Sequence, residues 1–243
     1  MRPSYGGPDF SVSGLRASLE ASLRRLKTDY VDLLQLHNPI ARSVLPPAEV
    51  LPLLARLRVE GKIRAYGISA KSPADALEFV AAPGLASLQV NLNLLDWRAF
   101  DCGLVARAQK AGIAIIARTP LAFGFLAGSI KRGQTFAPDD HRSRLSRRQI
   151  ENWADAAAEM QAELHAIAPD LGPTEAALRF CLSIAGVATV IPGMMTCHEV
   201  LQNTNADTAP HFSLDQLKRL EALYRRHEAN LVLDPASRRD RPV

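Results

Sequence analysis

The stretch that decides the fold is residues 30–39, Tyr-Val-Asp-Leu-Leu-Gln-Leu-His-Asn-Pro. Its middle, residues 31–36, is almost uninterruptedly apolar, which predicts a buried parallel strand covered on both faces. Pro39 stops the strand, and His37 follows its carboxyl end, where α/β folds place their chemistry. A packed, hydrogen-bonded core histidine gives the same local pattern, so the rest of the chain has to decide between the two interpretations.

Helices and short apolar strands alternate outward from this stretch. Further strands are predicted at residues 63–69, 87–91, 113–117 and 187–191. Helices are predicted at residues 11–26, from 46 to a stop at Gly61, and at 73–81, 100–111, 147–168, 173–183, 198–203 and 214–227. The tight connections carry no hairpin pattern, which favours right-handed βαβ units and a parallel sheet. Residues 119–145 interrupt the alternation, and a connection of this length is typical of a functional lid.

Composition narrows the class of protein. The chain has 243 residues, 47% of them hydrophobic and 22% charged, with a net charge of +4, as in an ordinary globular protein. No apolar run approaches a membrane span, and Cys102, Cys181 and Cys197 lack metal-ligand spacing. Basic clusters at 142–148 and 238–241 lack interleaved aromatic residues. We therefore expect a cytoplasmic protein with no metal, membrane or nucleic-acid partner.

The chain is expected to form a main domain with short extensions. Residues 1–10 read as a disordered leader, residues 11–229 as one partial barrel domain and residues 230–243 as a flexible tail.

Polar groups follow the carboxyl end of every predicted strand. They are His37 with Asn38, then Ser69, then Gln89 with Asn91 and Asn93, then Arg118 with Thr119, and finally Pro192 with Gly193. Since the carboxyl ends of parallel strands meet at one mouth, these groups are expected to line a binding site. Neutral hydrogen-bonding groups suit an amide-bearing ligand, and Ser69 and Gln89 could bind a carboxamide between them. The helix start after Gly193, with Thr196 as its cap, would present free backbone N–H groups to an anion.

These motifs together resemble the aldo/keto reductase superfamily, in its bacterial and potassium-channel-β-subunit-like branch. The matching segments are residues 18–26, 28–37, 66–69, 88–90, 120–122 with Gly124 and Gly128, 140–142, 190–193 and 202–203. They follow one another in the family's order and spacing from about residue 11 to residue 227.

The resemblance implies a (β/α)8 TIM barrel that transfers hydride between NAD(P)H and a carbonyl or alcohol. It implies that His37 orients or polarises the substrate carbonyl, and that Ser69 and Gln89 hold the nicotinamide carboxamide. Arg118 occupies the position of the family's nicotinamide-stacking residue. Residues implied to line the pyrophosphate are Thr119, Pro120, Leu121, Ala122, Gly124 and Arg142. Those implied to face the adenosine half are Gly193, Met195, Glu199, Gln202 and Asn203.

The sequence departs from the family pattern in its strand count. Only about five barrel strands are predicted, followed by C-terminal helices, whereas the family's first three strands would precede residue 11. Those strands carry the family's catalytic tyrosine, aspartate and lysine, and Tyr5 lies in no family motif. The expectation is therefore an N-terminally truncated, incomplete barrel of doubtful activity on its own. A second copy or a partner chain could cover its open edges, one of which is the strand at 31–36.

The cofactor positions depart from the family as well. Met194 and Met195 stand where an Arg or Lys usually holds the adenosine 2′-phosphate, and the carboxylate of Glu199 would repel that phosphate. Ser129 and Ala70 each remove a further family contact. The sequence thus leans slightly to NAD(H) over NADP(H). Two functions stay open: an NAD(P)(H)-dependent oxidoreductase, and a non-catalytic aldo-keto-reductase-like module that binds nucleotide or a protein partner.

Overall fold

The structure is a computed structural model, and it describes residues 9–46, 48–208 and 210–232. Tyr5, Pro47, most of the predicted leader, the predicted tail after Val232 and the basic cluster at 238–241 lie outside the described residues. Within the described ranges, no helix is both long and apolar enough to cross a membrane.

Five strands of the described residues form one sheet in which the strands follow chain order. They are β1 (Val31–His37), β2 (Ile63–Ser69), β3 (Leu85–Asn91), β4 (Ala114–Arg118) and β5 (Val187–Ile191). β1 pairs with β2 in parallel, and β2 pairs with β3 in parallel. The predicted α/β architecture with a parallel five-stranded sheet is confirmed.

Nine α-helices occur among the described residues. They are α1 (Val12–Leu26), α2 (Val50–Val59), α3 (Pro73–Leu77), α4 (Arg98–Asp101), α5 (Leu104–Lys110), α6 (Arg147–Ile167), α7 (Pro173–Leu182), α8 (Cys197–Asn205) and α9 (Leu214–Leu231). Serine side chains begin the long ones: Ser11, Ser146 and Ser213 accept hydrogen bonds from the first turns of α1, α6 and α9. Such N-caps satisfy backbone donors that the helix itself leaves free.

Residue contacts divide the described chain into two compact units. The first unit comprises residues 9–90 and 99–116, and the second comprises residues 91–98 and 117–232. In the first unit, Leu53, Leu54 and Leu57 present one fully buried face of α2, and Ile68 of β2 is buried as well. In the second unit, Trp97 lies between the rings of Phe180 and Tyr224, at centroid distances of 5.3 and 5.6 Å.

The burial predicted for β1 is wrong. Only Leu36 of this strand is buried, and Asp32 is exposed and ion-paired with Arg64 of β2 at 2.6 Å. The reason is position: β1 is an edge strand of the described sheet, so it has a neighbour on one side only.

Four helices differ from the sequence prediction by several residues. The last, predicted over 214–227, runs to Leu231, so the predicted tail begins with helical residues. The second helix begins at Val50 rather than at the Pro46-Pro47 pair, and the helix predicted to reach residue 81 ends at Leu77. The helix predicted over 100–111 is two helices, separated at Gly103. Gly103 has a φ of 74°, a left-handed conformation that interrupts helical geometry at little cost for glycine.

Candidate active site

Three predicted site residues lie in one row across three neighbouring strands of the first unit. His37 of β1 is the register partner of Ser69 of β2, and Ser69 is the register partner of Gln89 of β3. Register partners in a parallel sheet point to the same face, so the three side chains share one side of the sheet. β3 reaches this register through an irregularity, since Tyr66 pairs with Leu85 but Gly67 pairs with Ser87. Such bulges commonly re-aim side chains next to functional sites.

The row continues into a chain of side-chain hydrogen bonds. Gln89 Nε2 donates to Ser69 Oγ at 3.0 Å, and Gln89 Oε1 accepts from Gln35 Nε2 at 2.9 Å. Ser69 is only 3% exposed, and Gln35 and Gln89 are half-buried. Because buried amides are costly to leave unpaired, this chain fixes the rotation of the Gln89 amide. Gln35 was not predicted as a site residue.

His37 is exposed at the end of the same row. Its Nε2 lies 3.3 Å from Asn38 Nδ2, and the backbone N–H of Asn38 donates to the Ser69 carbonyl at 2.7 Å. Asn38 has a φ of 51°, in the left-handed region that asparagine tolerates better than most residues. The turn after β1 is thus hydrogen-bonded to the end of β2, while the histidine ring is left accessible.

In the second unit, the turn after β4 contains the predicted pyrophosphate residues. Thr119, Ala122 and Phe123 have φ values of 54°, 45° and 57°, and Gly124 has a φ of 96°. Three non-glycine residues in the left-handed region within five positions represent stored backbone strain, which is concentrated at functional sites in proteins. Arg118 begins this turn and donates from Nε to Asn91 Oδ1 at 2.8 Å, and burial lowers the pKa of its guanidinium.

Arg142 is tied to this turn and to its own segment. Its Nη1 donates to the Phe123 carbonyl at 3.2 Å, and its Nη2 donates to Asp140 Oδ2 at 2.6 Å. The guanidinium also lies over the Phe136 ring, 4.4 Å from its centroid. Hydrogen bonds from the Arg142 side chain, and then from its backbone, lower the pKa of Asp140 to about 2. The charge of Arg142 is therefore already compensated by a carboxylate.

A cavity of about 160 Å³ lies within the second unit beside this turn. Thr119, Ala122 and Phe123 line it, together with Trp153 of α6 and Tyr224 of α9. Asn93 also lines it and is fixed by its own hydrogen bonds, since its side chain donates to the Thr119 carbonyl and accepts from the Leu95 N–H. The cavity has aromatic walls and a polar edge formed by asparagine and threonine.

The start of α8 holds the predicted adenosine residues. Glu199 Oε2 accepts from the backbone N–H groups of Met195 at 2.6 Å and Thr196 at 3.0 Å, and these bonds lower the pKa of Glu199. The carboxylate thus occupies the helix N-terminus that the sequence suggested for an anion. The side chain of Met195 is 92% exposed.

The remaining adenosine positions lie further along the same element. Gln202 and Asn203 are half-buried on α8, and Asn203 Nδ2 is a buried donor without a hydrogen-bond partner in the described part of the chain. Gly193 has no atoms near the position that a Cβ would take.

The structure therefore brings the predicted residues together in three groups. One is the row in the first unit; the others are the turn after β4 with Arg142, and the start of α8, both in the second unit. Among the described residues, no three His, Cys, Asp or Glu side chains lie close enough together to hold a metal ion. Sequence reasoning missed Gln35, although a polar residue two positions before His37 in an apolar strand marked the shared face.

Comparison with known proteins identifies the family. The model of the aldo/keto reductase family matches residues 1–225. The chain belongs to the aldo/keto reductase family. Its oxidoreductase relatives include an uncharacterized oxidoreductase, YqkF, of Bacillus subtilis (strain 168), which is 28% identical over 91% of this chain and 71% of its own length. An aldo-keto reductase of Babesia bovis is 36% identical over 51% of this chain and 54% of its own.

Two solved aldo/keto reductase structures show the fold. The glycerol dehydrogenase AKR11B4 from Gluconobacter oxydans has a TM-score of 0.78 at 27% identity, and the match covers 93% of this chain and 68% of that one. The holo form of the aldo-keto reductase AKR11C1 from Bacillus halodurans has a TM-score of 0.71 at 26% identity, and the match covers 88% of this chain and 68% of that one. The predicted membership of the TIM-barrel aldo/keto reductases is confirmed.

Proposed function

We propose that this aldo/keto reductase transfers hydride between a nicotinamide dinucleotide and a small carbonyl or alcohol. The observation that carries the proposal is the row His37–Ser69–Gln89 at the carboxyl ends of three adjacent parallel strands. A chance arrangement would not place an accessible histidine next to a hydrogen-bonded hydroxyl and amide at one register, on the edge where α/β folds bind ligands.

The donors and acceptors of the first unit fit the nicotinamide carboxamide. Ser69 Oγ accepts from Gln89, so its own proton is left to donate to a carboxamide oxygen. Gln89 Oε1 keeps one lone pair that can accept from the carboxamide NH2. Reduced nicotinamide supplies the hydride when it is bound. His37, exposed at the end of the row, would orient or polarise the substrate carbonyl by hydrogen bonding.

We propose, separately and for the second unit by itself, that it binds nucleotide phosphates and adenosine. The turn of Thr119, Pro120, Leu121, Ala122 and Gly124, with Arg142, would contact phosphates, and Arg118 begins this turn. Gly193, Met195, Glu199, Gln202 and Asn203 would line the adenosine. The unpartnered donor of Asn203 supports this role, because an adenine ring nitrogen is an acceptor of matching type.

NAD(H) is the proposed nucleotide rather than NADP(H). Glu199 already accepts from the N–H groups of Met195 and Thr196 just before α8, so a 2′-phosphate at this position would meet a carboxylate. Arg142 offers little compensation, since Asp140 neutralises it.

The test of the proposed function combines binding with turnover. Quenching of protein fluorescence should show saturable binding of NADH by the purified protein, and a generic aldehyde should be reduced at the expense of bound NADH. His37→Ala should lower kcat/KM by about tenfold or more, while His165→Ala, a matched change at an exposed position of α6, should not. Binding of neither NADH nor NADPH would refute the proposal. Binding without turnover would favour the non-catalytic alternative.

A variant of Glu199 tests the proposed preference for NAD(H) over NADP(H). Glu199→Gln keeps a cap oxygen but removes the charge, so it should raise affinity for NADPH by a few-fold, roughly three to ten, and leave affinity for NADH unchanged. Glu221→Gln on α9 is the matched control. An unchanged ratio of NADPH to NADH affinity in Glu199→Gln would mean that this carboxylate does not face the 2′ position.

A further inference from the structure

Gln35 is the residue on which the orientation of the Gln89 amide depends. Its Nε2 donates to Gln89 Oε1, and Gln89 Nε2 donates in turn to Ser69 Oγ. An amide side chain has a donor end and an acceptor end, and only the network around it decides which end faces which neighbour. Gln35 gives the acceptor end of Gln89 a partner, and the donor end of Gln89 faces Ser69. Gln35 Oε1 is itself buried without a hydrogen-bond partner in the described part of the chain.

The reach of Gln35 across a whole strand has a structural reason. Gln35 lies two residues before His37 and therefore on the same face of β1. Its register partner on β2 is Gly67, whose own partner on β3 is Ser87. Gly67 has no side chain, and Ser87 Oγ lies close to the position that a Gly67 Cβ would take. The Gln35 amide reaches across β2 at this level to Gln89. A layer of Gln35, Gly67 and Ser87 thus lies directly beneath the row of His37, Ser69 and Gln89.

The direction of this hydrogen-bond chain decides what a ligand meets. With Gln89 Nε2 directed at Ser69, the serine hydroxyl proton is free to donate outward, and a lone pair on Gln89 Oε1 is free to accept. The reversed chain would have Ser69 donating to Gln89 and would present the opposite pattern. A carboxamide would then have to turn by about half a rotation about its bond to the ring to pair with it.

We propose that Gln35 is a positioning residue that fixes the Gln89 amide and thereby selects one orientation of the nicotinamide carboxamide. The inference rests on the proposed nucleotide function. Gln35 acts through Gln89, and it needs no contact with the nucleotide itself. Supporting side chains of this kind commonly hold the groups that touch the ligand in their productive geometry.

Three dinucleotide-like probes separate this role from a merely structural one. NAD+ carries the full carboxamide; 3-acetylpyridine adenine dinucleotide replaces its NH2 with a methyl group; ADP-ribose lacks the ring. The wild type should bind NAD+ about three to ten times more tightly than the acetylpyridine analogue, the value of one good hydrogen bond. Gln35→Met keeps length and flexibility but removes the donor, so the Gln89 amide can rotate and this preference should fall towards one. Binding of ADP-ribose should stay within about twofold, since it makes no contact with the carboxamide position.

The controls assign each failure to one claim. Gln109→Met, the same change at an exposed position of α5, should keep the wild-type preference for NAD+ over the acetylpyridine analogue. If Gln35→Met has a lowered thermal midpoint, Gln35→Leu provides a second variant. Equal weakening of all three ligands by the Gln35 variants would show a structural role only and overturn the inference. An unchanged preference for NAD+ over the analogue would overturn it while leaving the proposed function in place. If the wild type bound none of the three ligands, the proposed function would fail, and the inference with it.

Discussion

Replacing Gly67 with alanine tests the layer beneath the row. A Cβ on Gly67 would lie 3.0 Å from the Ser87 carbonyl oxygen and well inside contact distance of Ser87 Oγ. The serine hydroxyl can rotate away, but the carbonyl belongs to the β3 backbone and cannot move without disturbing the sheet. Overpacking of this kind typically costs about 1–3 kcal/mol of unfolding free energy.

The expected result for Gly67→Ala is therefore a loss of about 2 kcal/mol, or a thermal midpoint lowered by roughly 4–8 °C for a chain of this size. Thermal and urea unfolding followed by circular dichroism would measure it. Ser87→Ala in the same chain removes the hydroxyl, so the double variant should recover about 1 kcal/mol relative to the sum of the single changes. The recovery should be partial, because the carbonyl contact remains.

Gly193→Ala is the matched control for stability. Its backbone does not adopt a left-handed φ, and no atom lies within 4 Å of the added Cβ, so the unfolding free energy should change by less than about 1 kcal/mol. If Gly67→Ala were as stable as the wild type, the close approach of β2 and β3 at this level would be refuted. The account of how Gln35 crosses β2 would be refuted with it.

Three further predictions concern the pH, thiol and packing behaviour of the chain. Pairing with Arg142 lowers the pKa of Asp140 from 3.8 to about 2 in the folded protein. Its contribution to stability is therefore present above pH 3.8 and is lost as the pH falls towards 2. Asp140→Asn should remove that part of the dependence of unfolding on acid pH. Burial raises the pKa of the Cys181 thiol, so iodoacetamide should label the exposed Cys197 of the native protein and reach Cys181 only after unfolding, as mass spectrometry would show. Trp153 Nε1 donates to the Leu231 carbonyl, and Trp153→Phe should lower the urea-derived free energy of unfolding by about 1 kcal/mol through loss of this bond.

Each of these three predictions has a result that would contradict it. An acid profile unchanged by Asp140→Asn would mean that the aspartate is not paired in the folded state. Labelling of Cys181 as fast as Cys197 would contradict the burial of Cys181 near the carboxyl end of α7. An unchanged urea midpoint for Trp153→Phe would show that the end of α9 is not held to α6.

Hydrophobic pattern alone was sufficient for the order of elements. The apolar runs placed β2 and β5 at their observed bounds. Pattern was insufficient where tertiary position decides. The apolar composition of β1 suggested burial on both faces, but at the edge of the described sheet only Leu36 of this strand is buried. Likewise Gly103 reads as one glycine in a helical pattern, and only its left-handed φ shows that it separates two helices.

In the candidate site, too, sequence pattern predicted some residues, while others depend on tertiary position. Placement at strand ends, with the family resemblance, was enough to select His37, Ser69 and Gln89, because carboxyl ends of parallel strands meet at one edge. It could not find Gln35, whose role depends on a register between three strands and on the missing side chain at Gly67. The sequence also could not show that Glu199 and Asp140 are already engaged by backbone and guanidinium donors, since those contacts depend on local rotamers.

The central claim is that the row His37–Ser69–Gln89 receives the nicotinamide end of a dinucleotide. Titration calorimetry of the wild type and of Gln89→Leu with NAD+ and ADP-ribose tests it most directly. The substitution should weaken binding of NAD+ by about tenfold and leave binding of ADP-ribose within about twofold. Equal affinity of the variant and the wild type for NAD+ would contradict it.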